Sequence, residues 1–377
     1  MTAIAFPFVP LSREAHALRR EVRDFLAAER AANTFAPACD SWSDFSESFS
    51  KKLGARGWLG MTWPKAYGGH ERSLIERWVA TEEFLAAGAP VGAHWIADRQ
   101  SGPQILRYGS EEQKRFFLPR IAQGECYFAI GMSEPDAGSD LSAVRARAEK
   151  ISGGWRLTGR KVWTSWGHLA HWSIVFCRTS PPDEDRHAGF SQFMVDLSSP
   201  GVTIRPIVNL EGLHHFNEIY FDAVFVPDDR VLGNIGAGWA QLMSELAFER
   251  SGPERFLSTF PLLAAFAERA ETENETVLGT LMAELFSLRQ MSRSVAGRLM
   301  AGETPSAEAA LVKDVGTRFE QRIQEAVRAG LPVASRTADG ELQRHYARAV
   351  LRSPSFTLRG GTSEILRGVV ARALGLR

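Results

Sequence analysis

The chain contains 377 residues, 44% of them hydrophobic, and its 44 basic and 44 acidic residues give a formal net charge of zero. This length suits two or three domains, and the balanced charge gives no electrostatic bias towards nucleic acid. The apolar runs are too short to span a membrane, and residues 1–10 lack the basic start and cleavage site of a signal peptide. Three widely spaced cysteines form neither a disulfide framework nor a zinc pattern, so we expect a reduced, cytoplasmic compartment.

The N-terminal part of the chain has helical periodicity from about residue 12 to residue 124. The apolar residues of its first predicted helix share one face: Leu18, Val22, Phe25 and Leu26. Ser110 followed by Gln113 is a capping-box start for a further helix. We therefore predict that this part of the chain is all-α.

The middle part of the chain consists of short β-rich runs separated by turn residues. The predicted strands are Ala146–Ile151, Trp155–Leu157, Trp172–Cys177, Phe193–Leu197, Val202–Ile207 and Ile219–Val226. Gly153 and Gly154 lie between the first two runs, which indicates a hairpin. Spacing of this kind predicts a small antiparallel sandwich or barrel.

Helical periodicity returns after about Gly236. Helices are predicted over residues 239–250, 277–300 and 307–329, with a last one after Ser363. The order of helical, β-rich and again helical segments predicts an α+β chain rather than a doubly wound sheet.

The stretch Ser133–Asp140 follows the apolar run Tyr127–Ile130 and is rich in Pro, Ala, Gly and Ser. An extended run that breaks into small and hydroxyl-bearing residues allows a backbone to approach a planar or phosphorylated ligand closely. Most stretches of this composition are ordinary turns, so the pattern by itself does not predict a site.

Four segments of the chain resemble, in order, motifs of the acyl-CoA dehydrogenase family. They are Trp58–Gly69, Gly131–Asp140, Gly159–Ser165 and Gly361–Arg367. The resemblance covers essentially the whole chain. It implies an N-terminal helical domain over residues 1–126, a middle antiparallel β-domain over 127–232, and a C-terminal four-helix bundle over 233–377.

The resemblance also implies an FAD site. Ser133 matches the hydroxyl at the pyrimidine end of the flavin, Trp163 matches the aromatic residue that packs against the isoalloxazine, and Ser165 matches the hydroxyl near N5. Ser139 matches a contact with the pantetheine arm of CoA. The cofactor-binding residues expected from these motifs are Ile130, Met132, Ser133, Gly138, Ser139, Trp163, Thr164, Ser165, Thr362 and Glu364.

The same residues have ordinary alternatives when the family is set aside. Trp163 alone would be interpreted as a core tryptophan of a strand, and Ser133 and Ser165 as turn or edge hydroxyls. Thr362 or Ser363 is also a good N-cap for the last helix. A helix N-terminus there offers free N–H groups to a polar or anionic ligand, so the capping and binding roles are compatible.

Members of this family remove hydrogens from the α and β carbons of an acyl-CoA thioester, which requires a carboxylate base beside the flavin. Many of them place a Glu immediately before the Gly-Thr of the C-terminal signature, where this chain has Gly360. A minority carry the Glu on an earlier helix, just before an Arg, and Glu249-Arg250 match that arrangement. We therefore predict that Glu249 takes the α-proton and that Arg250 is its structural or electrostatic partner.

The spacing of residues along the predicted helix supports this choice. Leu242, Leu246 and Glu249 fall at i, i+4 and i+7, which places Glu249 on the apolar stripe. Partial desolvation of a carboxylate in that position is expected to raise its pKa towards the working range of a base. In the alternative interpretation, Glu249 and Arg250 are surface neighbours that face different directions.

Two family segments that bind the adenosine half of FAD across a subunit interface are absent. They are expected near residues 269–277 and near Ala329, where this chain instead has the sequences of residues 269–275 and 330–333. We nonetheless expect a homotetramer or dimer, with adenosine contacts that are built differently. The alternative is an α2β2 heterotetramer, as in a bacterial subgroup, in which this chain is the catalytic partner of a second dehydrogenase-like chain.

The resemblance favours an FAD-dependent acyl-CoA dehydrogenase of fatty acid or lipid metabolism that forms a trans-2-enoyl-CoA and passes electrons to an electron-transfer flavoprotein. One alternative is an oxidase or monooxygenase of the same fold that uses oxygen. Another is a non-catalytic partner subunit of a heteromeric dehydrogenase. The nine histidines are scattered without carboxylates at ligand spacing, so no metal site is predicted.

Overall fold

The computed structural model describes residues 4–181, 184–249, 251–269, 271–334 and 340–376, with the side chains of residues 245–249 left outside the description. The chain forms two compact units. The helical unit comprises Met1–Asp44, Arg72–Val91 and Ala247–Arg377, and the sheet unit comprises Phe45–Glu71 and Gly92–Leu246. The domain limits given above, at residues 126 and 232, remain predictions.

The helices of the N-terminal half are α1 (Arg13–Ala31), α2 (Glu47–Ala55), α3 (Leu74–Ala86), α4 (Gly92–Ile96), α5 (Gly102–Tyr108) and α6 (Glu111–Ala122). The strands are β1 (Phe128–Gly131), β2 (Arg147–Ile151), β3 (Gly154–Ser165), β4 (Trp172–Arg178), β5 (Phe190–Asp196), β6 (Val202–Val208), β7 (His214–Pro227) and β8 (Val231–Leu232). The later helices are α7 (Gly238–Glu249), α8 (Phe260–Ala267), α9 (Glu275–Met300), α10 (Ser306–Gly330), α11 (Glu341–Phe356) and α12 (Ser363–Ala373). None of the helices in the described residues has the length and apolarity that crossing a membrane requires.

Local sequence signals account for where several helices begin. Ser12 caps α1 by accepting a hydrogen bond from the Ala15 N–H. At the start of α6, the Ser110 hydroxyl accepts from the Gln113 N–H, and the Gln113 side chain accepts from the Ser110 N–H. The predicted capping box is therefore confirmed. The predicted face of α1 is also confirmed, because Leu18, Val22, Phe25 and Leu26 are all buried.

The sheet unit is built around one mixed sheet with the strand order β6-β7-β3-β2-β4-β5-β8. The predicted hairpin is confirmed, since β2 and β3 are antiparallel and Ile151 pairs with Gly154. The sheet is not wholly antiparallel as predicted, because β1 lies parallel to β4, with Phe128 opposite Trp172. The chain reaches this parallel position because the β2–β3 hairpin intervenes along the sequence between β1 and β4.

The core of the sheet unit covers both faces of the central strands β4 and β5, because residues 173–177 and 190–195 are buried without alternation. Its fully buried residues include Leu157, Val175, Phe176, Phe193, Ile219 and Val224. Each such side chain contributes roughly 1.5–3 kcal/mol through removal from water. The burial of alternating residues holds β3 and β7 in register, which fixes the position of the loops and bulges at their ends.

The helical unit has α10 at its centre, in contact with α9, α11 and α12. The predicted C-terminal helices correspond to α9, α10 and α12. No predicted helix corresponds to α11, whose sequence contains Pro354. In the structure this proline lies in the last turn, after most of the backbone hydrogen bonds of the helix have formed.

Candidate active site

The loop after β1 contains four of the ten residues expected to bind the cofactor, namely Met132, Ser133, Gly138 and Ser139. Glu134 and Ala137 exchange backbone hydrogen bonds of 2.8 and 3.1 Å, which closes a tight turn around Pro135 and Asp136. Gly138 and Ser139 are exposed beyond this turn, whereas Met132 and Ser133 are half-buried before it. Ile130 is half-buried at the end of β1.

The end of β3 presents Trp163 through a backbone irregularity. The pairing of β3 with β7 shifts register between Lys161 and Thr164, and Trp163 has a φ of +60°. A left-handed backbone is unfavourable for a tryptophan by roughly 1–2 kcal/mol. The bulge turns the indole outwards, where 59% of the residue is exposed and the ring edge contacts Phe216. The interpretation of Trp163 as a core tryptophan is therefore wrong.

Hydroxyl and N–H groups without partners lie beside this bulge. Among the described residues, the buried Thr164 Oγ1 and Trp166 Nε1 have no hydrogen-bonding partner. Ser165, the next residue after Thr164, is half-buried. A buried polar atom without a partner requires an explanation, and a ligand that completes the site is one such explanation. An exposed aromatic ring next to unsatisfied polar atoms fits a planar ligand with a hydrogen-bonding edge, such as a flavin.

The structure brings the loop and the bulge together. The Val162 N–H donates to the Ser133 carbonyl at 2.9 Å. The Lys161 ammonium donates to the Met132 carbonyl and to Glu134 Oε1, both at 2.9 Å. Two predicted groups that are separated in sequence, Met132-Ser133 and residues 163–165, are therefore parts of one surface.

Sequence reasoning missed Lys161, which is completely buried. Its burial lowers the pKa of the ammonium, and the carboxylate of Glu134 opposes that shift. The available signal was strand alternation, because Leu157, Gly159 and Lys161 fall at successive inward-facing positions. The Glu134 carboxylate accepts the backbone N–H groups of Arg145 and Ala146 in addition to forming this ion pair.

A histidine pair lies behind the bulge. The rings of His168 and His214 stack with centroids 3.6 Å apart, and both approach Asn217 Oδ1. The Asn217 amide donates to the Thr164 carbonyl at 3.0 Å, which links the pair to β3. Burial lowers the pKa of His168, and the neighbouring His214 contributes in the same direction. Within the described ranges, no group of three or more His, Cys, Asp or Glu side chains could hold a metal ion.

Thr362 and Glu364 lie in the helical unit, at the start of α12. Thr362 is the N-cap, since its hydroxyl accepts from the Ile365 N–H, so the predicted cap is confirmed. Hydrogen bonds with the helix N-terminus lower the pKa of Glu364, which is exposed. The preceding Gly361 carbonyl accepts from the buried Lys313 ammonium at 2.8 Å.

Gly360 occupies the position where many members of the family have a Glu. Its φ is +66°, in the left-handed region that favours glycine. A Cβ added there would lie 3.1 Å from the guanidinium carbon of Arg255. The local backbone therefore disfavours any side chain at this position.

A buried charge cluster surrounds Arg359, the residue before Gly360. Its guanidinium donates to Asp40 at 2.6 Å, to the Ser258 hydroxyl at 2.8 Å, and to Glu320 at 3.0 Å. Burial raises the pKa of Glu320, with Arg359 opposing it. Burial also acts to raise the pKa of Asp40, but Arg359 and its neighbouring arginines have the larger, opposite effect. The pKa of Asp40 therefore lies below its usual value. Sequence reasoning gave no sign of this cluster.

The predicted base lies at the end of α7. Gln241 and Leu242 of this helix are buried, and the Gln241 side chain donates to the Leu232 carbonyl. Helix α7 ends at Glu249. The Glu249 side chain and the whole of Arg250 lie outside the described residues, so their catalytic roles stay predictions.

The chain matches three domains of one family. Residues 12–125 match the acyl-CoA dehydrogenase N-terminal domain, residues 129–224 the middle domain, and residues 273–375 the C-terminal domain. Acyl-CoA dehydrogenase IpdE1 of Mycobacterium tuberculosis is 33% identical over 342 residues, which cover 87% of each chain. FadE34 of the same organism is 33% identical over 334 residues, and the matched region covers 86% of this chain but only 45% of FadE34.

Two solved structures share the fold along the whole chain. The ChsE4-ChsE5 complex from Mycobacterium tuberculosis has a TM-score of 0.85 at 28% identity, covering 98% of this chain and 99% of its own. The Tcur3481-Tcur3483 steroid ACAD has a TM-score of 0.85 at 28% identity, covering 97% and 98%. The chain belongs to the acyl-CoA dehydrogenase family and is an oxidoreductase of that family.

Proposed function

We propose that this chain binds FAD at the β3 bulge and dehydrogenates an acyl-CoA thioester to the trans-2-enoyl-CoA, with Glu249 as the base. The observation that carries the cofactor site is the exposed Trp163 indole beside the unpartnered Thr164 hydroxyl. Bound FAD supplies the chemistry by accepting the β-hydride at N5. The chain itself binds and orients the substrate and removes the α-proton.

The flavin-binding roles are distributed over the loop and the bulge. Trp163 packs against the isoalloxazine face, Ser133 hydrogen-bonds its pyrimidine end, and Ser165 lies near N5. Ile130, Met132, Gly138 and Thr164 line the same site, and Thr362 and Glu364 are proposed as further contacts with FAD. Ser139 contacts the pantetheine arm. The hydrogen bond from the Val162 N–H to the Ser133 carbonyl supports a common site for the residues of the loop after β1 and those of the β3 bulge.

Two observations support Glu249 as the base. Gly360 has a left-handed backbone with Arg255 against it, so the common position for a glutamate is closed in this chain. Helix α7 extends to Glu249, at the spacing that continues its apolar stripe from the buried Leu242. Arg250 provides electrostatic support next to this carboxylate.

We further propose that the chain assembles with a second dehydrogenase-like chain, with a steroid-bearing acyl-CoA as substrate. The missing adenosine segments support a heteromer, and ChsE4 and ChsE5 provide a structural precedent as a complex. The likeness to a steroid ACAD supports a polycyclic acyl group. Electrons pass to an electron-transfer flavoprotein.

The base is tested with Glu249→Gln, which keeps the shape of the side chain and removes its basicity. We expect the variant to retain FAD, while loss of flavin absorbance on mixing with substrate slows by about a thousandfold. The control is Glu21→Gln, which removes an exposed carboxylate of α1 and is expected to react at the wild-type rate. Wild-type reactivity of Glu249→Gln would identify another residue as the base.

Assembly and acceptor are tested on the chain expressed alone and with a candidate companion. Native mass spectrometry reports the subunit composition, and absorbance reports the FAD content of each preparation. A chain that binds FAD fully as a homomer contradicts the heteromeric assembly. Rapid reoxidation by air after anaerobic reduction with substrate would favour an oxygen-using enzyme over a dehydrogenase.

A further inference from the structure

We propose that the buried pair of Lys161 and Glu134 is a positioning clasp that holds residues 132–146, which we call the clasped loop, in the shape that binds FAD. This inference rests on the proposed FAD site. It concerns two residues that lie beneath the predicted contacts and act through them.

The clasp joins both ends of the clasped loop to β3. At the start of the loop, Lys161 donates to the Met132 carbonyl and to Glu134, both at 2.9 Å. At its end, the carboxylate of Glu134 accepts the backbone N–H groups of Arg145 at 2.8 Å and Ala146 at 2.9 Å. One carboxylate therefore closes the loop, and one ammonium anchors it to the strand that carries Trp163.

The surroundings of Lys161 leave little freedom to this arrangement. The Lys161 residue has no exposed surface, and Glu134 is 8% exposed. A Cβ added to Gly131 would lie 3.3 Å from Lys161 Cγ, so the aliphatic stem passes tightly against β1. The adjacent Val162 N–H holds the Ser133 carbonyl directly before the Trp163 bulge.

The energetics indicate that the pair specifies a conformation. Removing a lysine and a glutamate from water has a desolvation penalty that can exceed their mutual attraction, so a buried pair is weak evidence for stability. This desolvation penalty is offset only when each buried charge has hydrogen-bonding or ionic partners in fixed positions. Lys161 and Glu134 find those partners only when Met132, Arg145 and Ala146 are in the observed positions, so the ions select this loop conformation over others.

The test uses Lys161→Met, which keeps most of the aliphatic stem and removes the ammonium. The matched control is Glu308→Gln in the helical unit, where the carboxylate is also buried, pairs with Arg298 at 2.6 Å, and accepts the Ala5 N–H at 3.3 Å. If Lys161→Met does not fold, Glu134→Gln tests the same proposal. All variants are prepared without cofactor and compared with the wild-type chain.

The first measurement needs no cofactor. Arg145 is 79% exposed, and its backbone N–H is held by the clasp, so trypsin cleavage after this residue reports opening of the loop. We expect cleavage there to accelerate at least tenfold in Lys161→Met and Glu134→Gln and to stay unchanged in Glu308→Gln. Equal cleavage rates in wild type and in these two clasp variants overturn the clasp.

The second measurement is the Kd for FAD, obtained by titrating the apoprotein. We expect the clasp variants to bind about a hundredfold more weakly and Glu308→Gln to bind as the wild type does. A wild-type Kd in the clasp variants overturns the positioning role. If the wild-type chain binds no FAD alone or with its companion, the proposed function fails, while the proteolysis result still decides whether the clasp exists.

Discussion

In both units of this protein, buried carboxylates pair with cations. The number of residues that separate the paired side chains along the sequence differs greatly between the two units. In the sheet unit, Glu134 and Lys161 are 27 residues apart. In the helical unit, Arg359 is 319 residues from Asp40 and 39 from Glu320. The first pair shapes one loop, whereas the second cluster ties the N-terminal segment to the C-terminal helices. Loss of the first should therefore affect ligand binding, and loss of the second should affect the stability of the whole unit.

Arg359→Met is the strongest test of this difference. It leaves Asp40 and Glu320, which are 2% and 0% exposed, without their shared cation. We expect a loss of about 3–5 kcal/mol in the free energy of unfolding. The measurement is urea denaturation at neutral pH.

The control for this variant is Arg328→Met, which removes a cation from an exposed pair with Glu325 and is expected to change stability by less than about 1 kcal/mol. The loss in Arg359→Met should shrink at lower pH, because burial raises the pKa of Glu320 and protonation removes its uncompensated charge. A loss as small as that of the control would show that the cluster does not hold the unit together.

The sheet unit should be sensitive to mild acid through His94. Burial lowers the pKa of this histidine to about 4, below its usual 6.5, so the unfolded chain binds more protons between these values. Stability therefore falls as the pH decreases through this window, by about 2 kcal/mol at pH 5. His94→Gln should flatten that part of the profile, measured as the free energy of unfolding against pH.

The exposed His16 provides the control for this prediction, since His16→Gln should leave the profile unchanged. Part of the acid sensitivity should persist in His94→Gln, because burial also lowers the pKa of His345 in the helical unit. A profile identical to the wild type in His94→Gln contradicts the prediction.

Trp163→Ala is expected to weaken FAD binding while it leaves the stability of the apoprotein almost unchanged. More than half of Trp163 is exposed, so its truncation should change the unfolding free energy of the apoprotein by at most about 0.5 kcal/mol. Loss of aromatic stacking should weaken FAD binding by about tenfold. The measurement is the Kd from apoprotein titration, and Trp163→Phe should retain part of the affinity. Unchanged affinity in Trp163→Ala would remove this residue from the site.

The features that sequence reasoning identified depend on residues that are close together along the sequence. Ser110 and Gln113 form a cap within four residues, and the Gly153-Gly154 turn fixes its hairpin locally. The bulge at Trp163 could not be read from the strand pattern, since a positive φ depends on the pairing with β7. The family resemblance marked this residue as functional without indicating the backbone that presents it.

The features that sequence reasoning missed depend on contacts that are remote in the sequence. Asp40 precedes an ordinary turn, and nothing near it indicates that it pairs with Arg359. The parallel pairing of β1 with β4 similarly depends on the position that the β2–β3 hairpin takes in the sheet. Propensity and periodicity describe neighbours along the chain, so they carry no information on such pairings.

The backbone at Gly360 also limits the evolutionary routes open to this enzyme. A mutation to glutamate there would place a side chain on a left-handed backbone, with its Cβ 3.1 Å from the Arg255 guanidinium carbon, so Arg255 would have to shift. A variant with a glutamate on this loop would need to change Arg255 before or together with Gly360. Directed-evolution libraries should therefore recover glutamate at position 360 only alongside a smaller residue at position 255.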